Sequence, residues 1–164
     1  MTECRNVRHQ ELLENYFFDC KCIECQRGED FSDPRIDSVP KNDIKAMVDV
    51  LSNPTIKERS KFKLRGELSE MAMRTKDFSL VVTALFDEST GELFGKAYIP
   101  LITCFTRCML VASSLVELNR LEEARKVFVE GSRVAKIYFG TADVSYKKIQ
   151  RHLIDIDHFS AKGN

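Results

Sequence analysis

The sequence predicts an all-α protein built of antiparallel helical hairpins, preceded by a small zinc-binding cysteine knuckle. Three observations carry that expectation. Apolar residues recur at steps of three and four from residue 43 nearly to the end, which is the spacing of one helix face. No strand-like alternation of useful length follows residue 26. Cys20, Cys22 and Cys25 crowd together directly behind the aromatic run Tyr16, Phe17 and Phe18.

In chain order, residues 5–18 carry a short helical signal in Val7, Leu12 and Leu13, and the cysteines follow. Residues 27–42 are polar, hold Pro34 and Pro40 and lack periodicity, so they read as a linker. Ile44, Met47, Val48 and Leu51 then mark a helix that Asn53-Pro54 stops, because a residue before proline resists the α region. A second helix over 56–74 has Leu64, Leu68, Met71 and Ala72 as its stripe, although Gly66 costs it about 1 kcal/mol of propensity. Asp77 is the expected N-cap of a third, with Phe78, Val81, Val82, Leu85 and Phe86, and residues 87–92 form a turn.

The most regular stretch comes next. Leu101, Cys104, Cys108, Val111, Leu115 and Leu118 share one face, as do Ala124, Phe128, Gly131, Ala135 and Tyr138 beyond a bend at Asn119. So short a bend makes the two helices antiparallel neighbours. Ala124, Gly131 and Ala135 let the backbones approach closely, while Phe128 fills the space between them. A last helix with Tyr146, Ile149, Leu153 and Ile156 is expected over the hairpin's open side. The hairpin resembles a tetratricopeptide repeat, with Ala112, Leu115, Ala124, Phe128 and Gly131 at positions where that pattern wants small, large, small, aromatic and small. Asn119 stands where a turn glycine is common, and asparagine also accepts the left-handed conformation.

Length and composition bound the function. A chain of 164 residues is about one domain and hides roughly 70% of its unfolded surface. Lys plus Arg equals Asp plus Glu at 25 each, so no basic excess asks for nucleic acid. The N-terminal residues lack the apolar core of a secretory signal, and no apolar run approaches the ~20 residues of a bilayer span. The expected location is cytoplasmic or nuclear, with no membrane partner. Six cysteines in such a reducing compartment are ligands or core residues rather than disulfides.

Thiolates suit zinc, a borderline-soft ion that prefers tetrahedral sulfur. Cys20, Cys22 and Cys25, spaced C-x-C-x2-C, bring three sulfurs within reach of one ion; a redox pair or chance spacing is the alternative. Cys4 and His9 are the only nearby stand-ins for a fourth ligand. Cys104 and Cys108 have a spacing that could hold a metal, but they lie on an apolar stripe and read as core. His152 and His158 read as a solvated helix end. No nucleophile elbow, phosphate loop or dinucleotide fingerprint is present, so no catalytic residue is assigned.

The stretch RHQELLENYFFDCKCIEC resembles the post-SET segment of SET-domain protein-lysine methyltransferases of the SET-and-MYND branch. The matching residues are Arg8, Leu12, Tyr16, Phe18, Cys20, Cys22 and Cys25. In that branch a C-terminal helical domain of tetratricopeptide type follows, and RVAKIYFGTADVSYKKI is similar to its closing repeat. The resemblance implies a post-SET-like zinc segment over 1–26, a linker over 27–42 and a tetratricopeptide-like domain over 43–159. It makes Cys20, Cys22 and Cys25 structural zinc ligands whose fourth partner is a cysteine of the SET core. It places Phe18 on the adenine end of an S-adenosylmethionine pocket, beside the plainer reading of an aromatic propping the knuckle; Tyr16 reads as structural.

The implied parent reaction methylates a lysine of a histone or other protein. The SET core, its glycine-rich cofactor loop, its catalytic tyrosine and the MYND finger do not occur in these 164 residues. The expectation is therefore part of a longer enzyme, with no complete catalytic site. The alternative is a non-catalytic protein–protein interaction module with a vestigial zinc site. Met109, Ser113 and Val116, expected on a concave inner face, do not supply the lysine–asparagine clamp with which some tetratricopeptide domains hold a C-terminal carboxylate.

Overall fold

The computed structural model describes residues 33–96 and 100–162, and the chain divides into two units, residues 1–38 and 39–164. The described part of the first holds one helical turn, α1 (Pro34–Asp37), inside the stretch that reads as linker. Asp33 caps it, accepting the Arg35 amide at 3.0 Å. Pro34 opens the turn, where a missing N–H leaves nothing unsatisfied.

The second unit runs α2 (Ile44–Ser52), α3 (Glu58–Thr75), α4 (Phe78–Leu85), β1 (Phe86–Asp87), β2 (Glu92–Leu93), α5 (Leu101–Glu117), α6 (Leu121–Tyr138) and α7 (Val144–Lys162). The all-α class is thus met, with one two-residue antiparallel ribbon added, pairing Phe86 with Leu93 and Asp87 with Glu92. Strands this short leave no alternation to read, so the sequence shows only the turn between them. Gly91, at φ 71°, supplies the left-handed step that closes it.

The helix ends follow from single residues. Asp43 and Asp77 each accept an amide three residues on, from Ala46 and Leu80, both at 3.0 Å, and so satisfy donors that a helix start leaves orphaned. Asn53 turns extended before Pro54, and Asn119 takes φ 57° between α5 and α6.

Each helix packs chiefly on the next in sequence, α2 on α3 through to α6 on α7. Met47, Leu68, Val81 and Leu85 anchor the first half of the core; Cys108, Val111, Leu115, Phe128 and Ile149 anchor the second, all nearly closed to solvent. The expected stripes overrun at their ends. Leu101, Leu118 and Tyr138 are 43%, 37% and 53% exposed, because helical periodicity continues beyond the reach of the helix opposite. On α3, Met71 is only half-buried, while Arg65 and Lys61 take buried places on the same face.

The close approach of α5 and α6 has a definite contact. A Cβ built on Gly131 would stand 3.0 Å from the Cβ of Cys108 and 3.5 Å from Cδ1 of Ile149. Three helices meet there with room only for hydrogen. Gly131→Val should therefore destabilise the fold by about 2–3 kcal/mol, the scale of overpacking in a filled core. Chemical denaturation checks it; a variant as stable as the wild type would show that α6 can shift at no cost.

Candidate functional site

The expected zinc ligands Cys20, Cys22 and Cys25, with Phe18, Tyr16, Cys4 and His9, lie outside the described residues. Among the described residues no group of three metal-ligating side chains occurs. Cys104 and Cys108 are buried free thiols, in keeping with their reading as core. The neighbouring Cys108 side chain holds Cys104 down to about 7 against the effect of burial, while Cys104 and then burial push Cys108 up. His158 is exposed, as expected of a helix end. His152 is not: its ring stacks on Phe128 with centroids 5.0 Å apart and planes 11° from parallel. It covers the edge of the core, a role its i+3 spacing from Ile149 could have signalled.

Three described cations are buried, where α3 meets α4, α5 and the ribbon. Lys61, Arg65 and Arg107 are only 4%, 3% and 6% exposed. One carboxylate serves the first two. Glu58 accepts Nε and Nη2 of Arg65, each at 3.1 Å, and Nζ of Lys61 at 2.9 Å. Nη1 of Arg65 donates to the Ala84 carbonyl at 2.9 Å, and the guanidinium lies 3.5 Å from the centre of the Phe94 ring. Burial pushes the Glu58 carboxyl up, but the hydrogen bonds from Arg65 and Lys61 outweigh it and hold it below the usual range.

Among the described residues Arg107 has no carboxylate partner. It donates to the carbonyls of Phe62 at 3.3 Å and Phe94 at 3.5 Å, and sits 4.1 Å over the Phe62 ring, whose negative face partly replaces an anion. Burial, then repulsion from Arg65, pushes it down to about 10.

Beside this cluster opens a cleft of about 290 Å³, lined by Val48, Leu51 and Ser52 of α2, Arg65 and Leu68 of α3, Thr83 of α4, Phe86 to Ser89 of the ribbon, and Phe94. Its walls are apolar and its rim is acidic. Asp87 Oδ1 accepts the Ser89 amide at 2.9 Å and hydroxyl at 2.6 Å; the hydroxyl bond is the largest influence holding the carboxyl below its ordinary value. Glu88 pairs with Arg120 of the α5–α6 turn at 2.6 Å. Neither the cluster nor the cleft was among the residues expected from sequence. A signal existed: Lys61, Leu64, Arg65 and Leu68 stand at i, i+3, i+4 and i+7, which puts two cations on the buried stripe.

Compared with known protein families, with characterised proteins and with solved structures, the chain matches none.

Two outcomes test the electrostatics. Glu58→Gln takes the anion from buried Lys61 and Arg65 and should cost about 2 kcal/mol. That is below the ~3–5 kcal/mol of breaking a fully buried pair, because the Glu58 side chain is 38% exposed and water screens it. Arg107→Met removes a desolvated charge that has no ion-pair partner among the described residues, and should change stability by less than about 1 kcal/mol. Urea titration compares them; an Arg107→Met loss larger than that of Glu58→Gln would contradict this assignment of charges.

Glu130 gives the pH dependence a sign. Arg133, bonded at 2.8 Å, and Lys96, at 3.0 Å, hold its carboxyl at about 2 against the opposing effect of burial, below an ordinary 4.5. A folded value below the unfolded one means stability is present above about 4.5 and lost as pH falls towards 2. Glu130→Gln should flatten the stability curve in that window and leave it unchanged in slope near neutrality.

Proposed function

We propose that this chain is the post-SET and C-terminal helical part of a protein-lysine methyltransferase of the SET-and-MYND type. The observation that carries the proposal is the spacing of Cys20, Cys22 and Cys25 behind Tyr16 and Phe18, followed by helical hairpins in which Ala124, Phe128 and Gly131 take tetratricopeptide-like places. Three thiolates fit one zinc ion with one position left for a cysteine from elsewhere. In this reading the zinc segment is structural, Phe18 walls an S-adenosylmethionine pocket, and the helical unit holds a protein substrate or partner, in the cytoplasm or nucleus. The cofactor's chemistry is to give its methyl group to a lysine amine. This chain's own residues supply binding surface and no catalytic group. The cleft by Arg65 and Asp87 favours a second reading, a helical protein–protein interaction module without catalysis.

Metal analysis tests the zinc segment: the purified chain should carry about one zinc ion, lost in Cys22→Ser. A folded, metal-free wild type would remove zinc from the proposal. Reading the transcript upstream of Met1 tests the rest. An in-frame SET core supports the methyltransferase, whereas an in-frame stop leaves the interaction module. Methyl transfer by the 164-residue chain alone would overturn the assignment of no catalytic group.

A further inference from the structure

We propose that the cleft between α2, α3, α4 and the ribbon binds a short peptide segment in which an apolar residue stands next to a lysine or arginine. The volume of about 290 Å³ is at the small end for ligand pockets and suits one or two side chains. Val48, Leu51, Leu68, Phe86 and Phe94 line it with apolar surface, which takes the apolar anchor and the methylene stem of the basic residue.

The charge on the lining decides the rest. Arg65 could be mistaken for an anion receptor, but its guanidinium is already engaged: Glu58, shared with Lys61, accepts from it twice, the Ala84 carbonyl accepts once more, and the Phe94 ring covers its face. The other two charges on the lining are the carboxylates of Asp87 and Glu88. Glu88 has Arg120 as its partner, and Arg120 is shared with Glu123 at 2.6 Å. Asp87 is held ionised by the Ser89 amide and hydroxyl, with no cation acting on it among the described residues. An ammonium or guanidinium from a partner completes it, and the Thr83 and Ser89 hydroxyls, whose protons go to the Ser79 carbonyl and to Asp87, leave oxygens on the lining to accept peptide amides. An acidic peptide meets like charge at the same rim, so the cleft discriminates by sign.

This inference rests on the partner-binding part of the proposed function and needs neither zinc nor methyl transfer. The test is fluorescence anisotropy on the full 164-residue chain with three labelled peptides: alternating leucine and lysine, alternating leucine and glutamate, and alternating serine and lysine. The leucine–lysine peptide should bind at least tenfold more tightly than either other. Asp87→Asn keeps an oxygen for Ser89 and removes the charge; it should weaken that peptide about fivefold, the size of one exposed charge pair. Val48→Lys puts a tethered cation in the cleft and should abolish binding, with melting and circular dichroism confirming that both variants fold. Equal binding of the acidic peptide, no binding by any peptide, or an affinity untouched by Asp87→Asn would overturn the proposal. Loss of zinc in Cys22→Ser with peptide binding intact separates its fate from that of the zinc segment.

Discussion

The first half of the helical unit depends on where two buried guanidiniums find their partners. Arg65 crosses from α3 to the carbonyl of Ala84, in the last turn of α4, where four carbonyls lack intrahelical donors and a cation also meets the negative end of the helix dipole. Its flat face carries the Phe94 ring, and the Phe94 carbonyl in turn accepts from Arg107 of α5. Phe94 is therefore clamped from two helices at once, and with it the ribbon. Removing Arg65 from this arrangement frees α4 and the ribbon from α3 together, whereas most single apolar contacts join only one pair of elements.

Such a network is not a cheap way to hold helices. Burying three cations against one carboxylate loses hydration that the surviving interactions only partly restore, and Arg107, with carbonyls and a ring in place of an anion, shows that cost in its lowered pKa. The second half of the unit is held differently. There α5 and α6 touch through Cys108 and Gly131 with no space for a methyl group, and the contact energy is dispersion and apolar burial. Apolar packing of this kind is indifferent to charge, whereas the arginine network needs Glu58 ionised, so acid acts on α3, α4 and the ribbon as well as on the Glu130 pairs of α6.

That contrast explains what the sequence made legible. A helix pair held by apolar contacts writes its geometry as periodicity, so the α5–α6 hairpin, the small residues between its helices and the bend at Asn119 can all be read directly. Asp77 and Asn53-Pro54 are equally readable because caps and stops are local chemistry. Arg65, Lys61 and Arg107 are not, since charged residues are ordinarily solvated and nothing in their own neighbourhood names Glu58, Ala84 or Phe94 as partners. Leu101 and Tyr138 fail in the opposite direction: periodicity says which face they share, and only the partner helix's length decides whether anything covers them. The cysteine motif, the most specific chemical signal in the sequence, lies in residues 1–32, outside the described structure.

The cleft is a consequence of the same irregularity. An α4 of eight residues ends where Phe86 turns extended at φ −122°, and the chain spends the next few residues on the ribbon instead of entering another long helix. That detour sets Asp87, Glu88 and Ser89 on the rim of the cleft that α2 and α3 also line. A regular hairpin at this point would have continued the apolar stripe and closed the gap. Arg65 makes the detour stable by capping α4 and holding Phe94, and Glu58, shared with Lys61, occupies the donors that would otherwise have faced an anion. The sign of the cleft is thus set at its rim by Asp87, while behind its wall a carboxylate that does not line it keeps Arg65 engaged.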